Sequence, residues 1–177
     1  MYGKKSHQKR YKKTLSFLKK NIPEGSRILD LGVSNPLSKL MKKKGYKVKN
    51  TKGEDLDEDQ SALINSKAEV VTAFEIVEHL LSPYQLLKSI KSKKLVISVP
   101  MRLWFSSSYR SSIDPRDQHF HEFEDWQLDW LLEKTGWEII SREKWTNPAG
   151  IIGVRKILRY FIPRYYIVYA EKKSFKS

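Results

Sequence analysis

RILDLGVSNP, residues 27–36, is the segment that indicates the architecture most directly. Branched apolar residues lead to an acid, Asp30, and then to Gly32. An apolar run followed by glycine is typical of a buried strand ending in a loop, and Pro36 suits the first turn of a helix. A glycine-rich nucleotide loop would repeat glycine where Ser34 and Pro36 stand. The segment therefore predicts a ligand loop, between strand and helix, that keeps only its first glycine.

The rest of the chain alternates strand patterns with helix patterns. Residues 68–74, AEVVTAF, and 94–100, KLVISVP, are apolar on both faces, as strands of a helix-covered parallel sheet are. Helices are also predicted at 6–21, 36–44, 83–91 and 125–135, with strands at 46–50, 137–145 and 164–173, and one helical face at Ile151, Val154, Leu158 and Phe161. This order predicts an α/β, Rossmann-like, doubly wound and mostly parallel sheet.

The composition suits a single compact domain of 177 residues, 40% of them hydrophobic. We expect residues 1–24 to form a basic helical extension packed on a domain of residues 25–177. No apolar run approaches the ~20 residues that cross a bilayer, and no secretory signal precedes the domain, so a cytoplasmic location is expected. The sequence has no cysteine, which excludes disulfides, thiolate metal sites and cysteine nucleophiles.

The chain is strongly basic. It has 34 Lys and Arg against 20 Asp and Glu, a net charge of +14, with lysines concentrated in residues 4–20 and 39–52. Such a surface favours anionic partners, including nucleic acid, phosphorylated metabolites and acidic lipid. Aromatic residues are not interleaved with the N-terminal lysines as base stacking requires, so a solvated helix face is expected there.

Polar residues stand where the predicted strands end. Ligands of doubly wound sheets bind outside the carboxyl ends of the strands. Gly32 follows the first strand, where a residue without a β-carbon lets a ligand reach the backbone. Glu75, Glu78 and His79 follow the strand at 68–74 and are candidate acid or base groups, with local capping as the alternative role.

The sequence predicts no metal site. His119 and His121 are two residues apart and would share one face of a strand. No third ligand follows at a spacing that is typical of metal sites, so a metal-ligating role is not expected.

Taken in order, the motifs resemble those of class I S-adenosylmethionine-dependent methyltransferases, most nearly the small-molecule group that includes ubiquinone-biosynthesis enzymes. The motifs are ILDLG, VVTAFEIVEHLLSP, LVISVP and HxxxF before LxxLLxxxGW, and together they span nearly the whole chain. The resemblance implies a seven-stranded sheet with a last strand inserted antiparallel. It also implies methyl transfer as the activity and S-adenosyl-L-methionine as the cofactor.

The resemblance also assigns roles to the first loops. Asp30, Gly32 and Ser34 would face the methionine part of the cofactor, and Asp55, with Leu56 beside it, would lie near the adenosine. Only about forty residues separate the first strand from the strand at 68–74, which is short for two further strands. One edge of the sheet is therefore expected to be reduced. The strand at 46–50 aligns equally with the second or the third strand of the family.

Later positions complete the implied site. Phe74 and Glu75 would line the pocket after the fourth strand. His119 matches a histidine that precedes the late helix in these relatives, and it is a candidate general base because histidine titrates near neutrality. The alternative role for His119 is a hydrogen bond that ties its loop to that helix.

Residues 101–118 form the longest stretch without a clear pattern, and they leave the carboxyl end of the strand at 94–100. The stretch contains arginines and aromatic residues: Arg102, Trp104, Phe105, Tyr109, Arg110 and Arg116. Guanidinium groups bind phosphate or carboxylate in a forked geometry, and aromatic rings offer a stacking face. We expect a lid that orders over a small anionic substrate. The alternative is aromatic cover for the sheet beside solvated arginines.

The sequence thus predicts methyl transfer to a small anionic molecule by a direct, metal-free, in-line step. The segment FEIVEH, residues 74–79, replaces the Asn/Asp-Pro-Pro-aromatic motif of enzymes that methylate amino groups of adenine or glutamine. The alternatives are an RNA methyltransferase that uses the basic surface and a degenerate fold that serves as a scaffold. A further alternative is membrane-surface association through RKILRYFIPRYY, residues 155–166, which otherwise forms a helix packed on the sheet.

Overall fold

The computed structural model describes residues 4–114, 117–148 and 154–173. Within these ranges six strands form one sheet, in the order β2-β1-β3-β4-β6-β5. The strands are β1 (Arg27–Asp30), β2 (Lys47–Asn50), β3 (Val70–Phe74), β4 (Lys94–Pro100), β5 (Trp137–Trp145) and β6 (Tyr165–Lys172). The helices are α1 (Lys4–Asn21), α2 (Pro36–Lys43), α3 (Ser61–Ile64), α4 (Pro83–Ser89), α5 (Asp125–Lys134) and α6 (Val154–Phe161).

The strand directions confirm the predicted Rossmann-like sheet. β1 pairs in parallel with β2 and β3, and β3 pairs in parallel with β4. The last strand, β6, lies antiparallel between β4 and β5. The carboxyl ends of β1 to β4 therefore meet at one edge of the sheet, where the sequence places its polar residues.

One edge of the sheet is reduced. β2 lies directly beside β1, so the strand at 46–50 takes the place of a second strand, which decides between the two alignments. Between β2 and β3 the chain forms the single helical turn α3 and loops. A further strand with its own crossover needs a dozen or more additional residues. The family resemblance implied seven strands, whereas the described part of the chain has six.

Helices cover both faces of the sheet because its central strands are apolar on both faces. In β4, Leu95, Ile97 and Val99 enter a cluster shared with α4 and α5, while Val96 enters the cluster on the opposite face. This alternation is the two-residue period of a strand. The molecule therefore has three layers, with the sheet in the middle.

The basic N-terminal helix α1 covers the second face together with α2. Phe17, Leu18 and Ile22 are buried there, while most of the α1 lysines are exposed, as predicted for a solvated helix face. The division of the chain at residue 24 into an extension and a domain stays a prediction.

Three features differ from or extend the sequence analysis. α3 and the single 3-10 turn Val77–His79 were not predicted, because three or four residues are too few to show a helical period. Ile151, on the predicted late helical face, lies outside the described residues. No described helix has the length and apolar character that a bilayer span requires.

Candidate functional site

Two cavities open at the edge of the sheet where β1 to β4 end. The inner cavity has a volume of about 330 Å³ and is lined by the predicted residues Asp30, Phe74 and Glu75. The outer cavity has a volume of about 560 Å³ and is lined by the predicted residues Asp55 and Leu56. Both cavities are bordered by Gly32, Val33 and Ile76, so the loop after β1 separates them.

Gly32 has a backbone conformation that only glycine adopts easily, with φ at +97°. Its N–H donates to the Thr51 hydroxyl oxygen at 2.7 Å, which joins the loop after β1 to the loop after β2. A β-carbon added at this position would lie 3.3 Å from Cδ1 of Ile76. Gly32 therefore lies at the border that the two cavities share, where a side chain would crowd Ile76.

The non-glycine positions of this loop serve the helix that follows. Asn35 caps α2 by accepting a hydrogen bond from the Ser38 N–H, and the Ser38 hydroxyl oxygen accepts one from the Asn35 N–H. Pro36 occupies the first helical turn, where its missing N–H costs no hydrogen bond. Ser34 is exposed and borders neither of the two cavities, so its cofactor-facing role stays a prediction without geometric support.

Asp30 uses its carboxylate to bind neighbouring strands. The Thr72 hydroxyl donates to one carboxylate oxygen at 2.6 Å, and the Asn50 side-chain amide donates to the other at 2.9 Å. Burial raises the pKa of Asp30 to about 6, and the two hydrogen bonds oppose that rise. The side chain borders the inner cavity, but its oxygens already fix the spacing of β1, β2 and β3.

Glu75 is held in an unusual conformation at the end of β3. Its φ is +57°, a region that costs free energy for a residue with a side chain. The Ser98 hydroxyl donates to Oε1 at 2.9 Å, and the Arg10 guanidinium lies 3.2 Å from Oε2. Burial raises the pKa of Glu75, and Arg10 opposes that rise. The strained backbone thus aims a carboxylate into the inner cavity between a hydroxyl and a cation.

The sequence analysis missed the contribution of α1 to this site. Arg10, Tyr11 and Thr14 border the inner cavity, and the Arg10 guanidinium also lies 5.6 Å from the ring centroid of Tyr165 in β6. Arg10 stands among lysines that are solvated, so composition alone does not distinguish it. Thr14, one helical turn after Arg10, is polar and fully buried, but only the structure shows that burial.

Glu78 is buried without a hydrogen-bond partner for either carboxylate oxygen among the described residues. Burial, with repulsion from Glu75, raises its pKa well above the usual range. Both effects favour the protonated form of this carboxyl, which an approaching cation would oppose. The backbone carbonyl of Glu78 accepts hydrogen bonds from the N–H groups of Phe120 and His121, so this turn anchors the end of the long loop.

Glu78, His79 and His119 bring three potential ligand atoms to within 4.8 Å of one another. His79 donates from Nδ1 to the Gln118 carbonyl oxygen at 2.9 Å, which leaves Nε2 as an acceptor when the ring is neutral. Three such atoms suit either a shared proton or a divalent cation. The sequence-based prediction of no metal site stays a prediction. Metal binding at this cluster would contradict it.

His119 is not among the residues that border the outer cavity. Its Nδ1 donates to Oε1 of Glu122 at 3.1 Å, and its ring packs edge-on against His79 with 5.0 Å between ring centroids. Burial lowers the pKa of His119, and Glu122 opposes that effect. The ring is therefore neutral at physiological pH and is oriented by a carboxylate. The ring of His119 contacts that of His79, which does border the outer cavity.

The outer cavity is acidic. Glu54, Asp55, Asp114 and Asp117 border it, together with the apolar Leu56 and Leu80 at its inner end. Its shape is held by a neighbouring acid: Asp57 accepts hydrogen bonds at 2.8 Å from the N–H groups of Leu81 and Ser82. A cavity with carboxylates at its mouth and an apolar interior suits a cationic or hydroxyl-rich ligand with a flat apolar part.

The four predicted substrate residues do not border either cavity in the described structure. Arg102 is exposed and lies 3.5 Å from Glu124, and Trp104 is 74% exposed. The Tyr109 hydroxyl donates to the Asp117 carboxylate. Arg110 is exposed, and its backbone forms an isolated antiparallel β-bridge with Gln118. Arg116 lies outside the described residues.

Comparison of the chain with known protein families gives a match over most of its length. Residues 4–142 match a family model described as a methyltransferase domain. No curated protein matches the chain.

Several solved structures have a similar fold. A methyltransferase dependent on S-adenosylmethionine from Archaeoglobus fulgidus is 18% identical, with a TM-score of 0.60 over 92% of this chain and 94% of its own. A chain from the complex between the Haloferax volcanii Trm112 methyltransferase activator and a methyltransferase is 13% identical, with a TM-score of 0.66 over 96% and 93%. The Burkholderia thailandensis 1,6-didemethyltoxoflavin-N1-methyltransferase, with bound substrate and S-adenosylhomocysteine, is 13% identical, with a TM-score of 0.59 over 93% and 78%.

Proposed function

Because the chain belongs to the methyltransferase domain family, we propose that it transfers a methyl group to a small anionic molecule, with S-adenosyl-L-methionine bound across the two cavities. The observation that carries the proposal is the position of Gly32, which borders both an inner cavity with a half-buried ion pair and an acidic outer cavity. The predicted class I methyltransferase relationship and cofactor are confirmed at the level of the family. The ubiquinone-type subgroup and the cytoplasmic location stay predictions.

The residues fit the cofactor at both ends. Arg10 and Glu75 in the inner cavity offer opposite charges to an amino acid group, which has both charges itself. The acids and the apolar interior of the outer cavity suit a ribose and a base, with Asp55 and Leu56 among them. When bound, the sulfonium supplies an electrophilic methyl group, so the chain needs mainly to align the acceptor and remove a proton.

The proposed proton acceptor is His119, oriented by Glu122. A base must be neutral to act, and burial lowers the pKa of His119 below its usual value of 6.5. The turnover number is therefore expected to rise with pH through that lowered pKa and to level off above it. His119→Asn should reduce the turnover number about a hundredfold and remove the acid limb of the profile.

The same profile measured for His79→Asn provides the comparison, because His79 borders the outer cavity. If His119→Asn keeps the wild-type turnover number while His79→Asn loses it, the base is His79. If His119→Asn lowers only the melting temperature, the role of His119 is structural, through its hydrogen bond to Glu122.

The anionic substrate is proposed from Arg102 and Arg110, which are exposed on the segment that follows β4, at the edge of the sheet where the cavities open. In the presence of S-adenosylhomocysteine, phosphorylated or carboxylated metabolites are expected to bind and neutral analogues are not. Arg102→Ala with Arg110→Ala should weaken that binding at least about tenfold, since each guanidinium contact to an anion stabilises by ~1.5–3 kcal/mol. Isothermal titration calorimetry measures both effects.

Arg27→Ala is the matched control for the substrate measurement. The side chain of Arg27 is 60% exposed and pairs with Glu69, whereas that of Arg102 is 61% exposed and pairs with Glu124. Arg27 begins β1, at the opposite edge of the sheet from the cavities. An equal loss in Arg27→Ala, or binding confined to neutral compounds, would refute the anionic-substrate proposal.

RNA methylation and a non-catalytic scaffold remain the alternatives. The net charge of +14 favours the first, and the replacement of two loop glycines by Ser34 and Pro36 favours the second. Calorimetry with S-adenosyl-L-methionine separates them from the proposal. Lack of binding at millimolar concentration would support the scaffold, while cofactor binding with salt-dependent retention on RNA, and no small anionic ligand, would support RNA methylation.

A further inference from the structure

α6 has its apolar side turned outward. Residues in a helix are about 100° apart, so Val154, Ile157 and Phe161 fall within an arc of roughly 60°. Their exposed fractions are 74%, 51% and 78%. Arg159, on the opposite side of the helix, is half-buried. An amphipathic helix of a soluble domain normally buries its apolar stripe, whereas α6 exposes these three apolar residues and leaves Leu158 and Arg159 half-buried.

A second exposed aromatic residue lies close to this helix. The Met101 N–H donates to the Arg164 carbonyl oxygen at 2.8 Å, and the Arg164 guanidinium donates to the Met101 carbonyl oxygen at 3.0 Å. Phe161 precedes Arg164 by three residues, and Trp104, which is 74% exposed, follows Met101 by three. Three residues extend at most about 10 Å. Phe161 and Trp104 therefore each lie within about 10 Å of the Met101–Arg164 pair and belong to the same region of the surface.

This surface adjoins the cavities. Met101 directly follows β4, and α6 connects the end of β5 with the start of β6. Because β6 is antiparallel, its start lies at the edge of the sheet where β4 ends. The outward apolar stripe is thus beside the entrance of the site and not on a remote face.

We infer that α6 and Trp104 form a docking surface for an anionic membrane, in which the stripe of Val154, Ile157 and Phe161 enters the interface. An interfacial helix buries its apolar face ~5–10 Å below the headgroups while basic residues contact anionic lipid. Arg102 and Arg110 are exposed on the same segment as Trp104, and the chain as a whole has a net charge of +14. Aromatic residues such as Trp104 favour the headgroup level.

A second copy of the chain is a weaker match for this surface. α6 has eight residues and is ~12 Å long. Three of its side chains with one tryptophan offer on the order of a few hundred Å² of apolar surface, whereas a stable interface buries ~800 Å² on each partner. A fluid bilayer does not require a large complementary surface. Docking requires no methyl transfer, so its test is independent of the proposed function.

Co-sedimentation of the full chain with vesicles tests the inference. We expect binding to vesicles of equal parts phosphatidylcholine and phosphatidylglycerol, and weaker binding to phosphatidylcholine alone. Ile157→Asp with Phe161→Asp should reduce the partition coefficient at least about tenfold, because each residue loses its burial in the interface. Ile140→Asp in β5 is the matched control, since Ile140 is also 51% exposed, and it should bind as the wild type does.

Several results would overturn the inference. They are no binding to the anionic vesicles, equal binding to both vesicle types, and an equal loss in Ile140→Asp. Binding that high salt abolishes and that Ile157→Asp with Phe161→Asp leaves unchanged would show attraction by charge alone. A wild-type dimer that the same double substitution converts to monomers would show that α6 is a contact between copies. Circular dichroism of each variant establishes that it is folded.

Discussion

Replacing Gly32 by valine is expected to weaken the binding of S-adenosyl-L-methionine at least about a hundredfold, or ~2.7 kcal/mol. The φ of +97° is strained for a β-branched residue, and the new β-carbon would lie 3.3 Å from Cδ1 of Ile76. The side chain would occupy space at the border that the two cavities share, where a ligand that occupies both must lie. Isothermal titration calorimetry on the purified variant measures the loss.

Gly136→Val is the matched control for backbone strain. Gly136 has a φ of +86°, but a β-carbon there would meet no atom within 4 Å, and the residue lies between α5 and β5 away from the cavities. This variant should lose some stability and keep its affinity for the cofactor. Wild-type affinity in a folded Gly32→Val protein would refute cofactor binding through this loop. An equal loss in Gly136→Val would show that strain alone explains the result.

Replacing Arg10 by methionine is expected to lower the free energy of unfolding by about 2–4 kcal/mol at neutral pH. Methionine retains the packing of the side chain but leaves Glu75 without its cation. The side chains of Arg10 and Glu75 are only 22% and 17% exposed, so water replaces the lost partner poorly. The same variant should bind S-adenosyl-L-methionine more weakly, because Arg10 borders the inner cavity.

The pH dependence of this loss has a defined sign. Burial already raises the pKa of Glu75, and removing Arg10 raises that pKa further. Protonated Glu75 needs no cation, so Arg10→Met should be close to the wild type in stability in acid and fall behind as the pH rises. Urea denaturation at a series of pH values measures this difference.

Two further variants make the Arg10 measurement decisive. Arg10→Met with Glu75→Gln should recover much of the stability, because the second change removes the unpaired charge. Lys13→Met replaces an exposed lysine of the same helix and should have little effect. A double variant as unstable as Arg10→Met alone would show that the loss comes from packing and not from the ion pair.

The elements of the fold were predictable because their patterns are local. β3 and β4 are apolar on both faces, which already indicated a central, helix-covered position, and Pro36 and Pro83 marked the starts of α2 and α4. The antiparallel last strand came from the family resemblance, since the pattern of β6 does not show its direction. The turn Val77–His79 was not predicted because three residues are too few to show a helical period, and its contacts with residues 120–121 are distant in the chain.

The candidate site was predicted only in part. Asp30, Gly32, Asp55, Leu56, Phe74 and Glu75 border the two cavities, because strand ends in a parallel sheet meet at one edge. The role of Asp30 was not visible, since its partners Thr72 and Asn50 come from neighbouring strands far along the chain. The participation of α1 was missed because nothing in the neighbouring sequence distinguishes Arg10 from the lysines around it.

The sequence by itself determined the order of strands and helices, the absence of cysteine chemistry, the glycine that a close ligand requires, and the family resemblance. These depend on residue type and on short periods, which a linear pattern contains in full. The tertiary structure alone decided which carboxylates are paired, which are buried without a partner, and which side of α6 faces outward. Those properties depend on neighbours that are distant in the chain, and burial and charge pairing have no meaning until such neighbours are in contact.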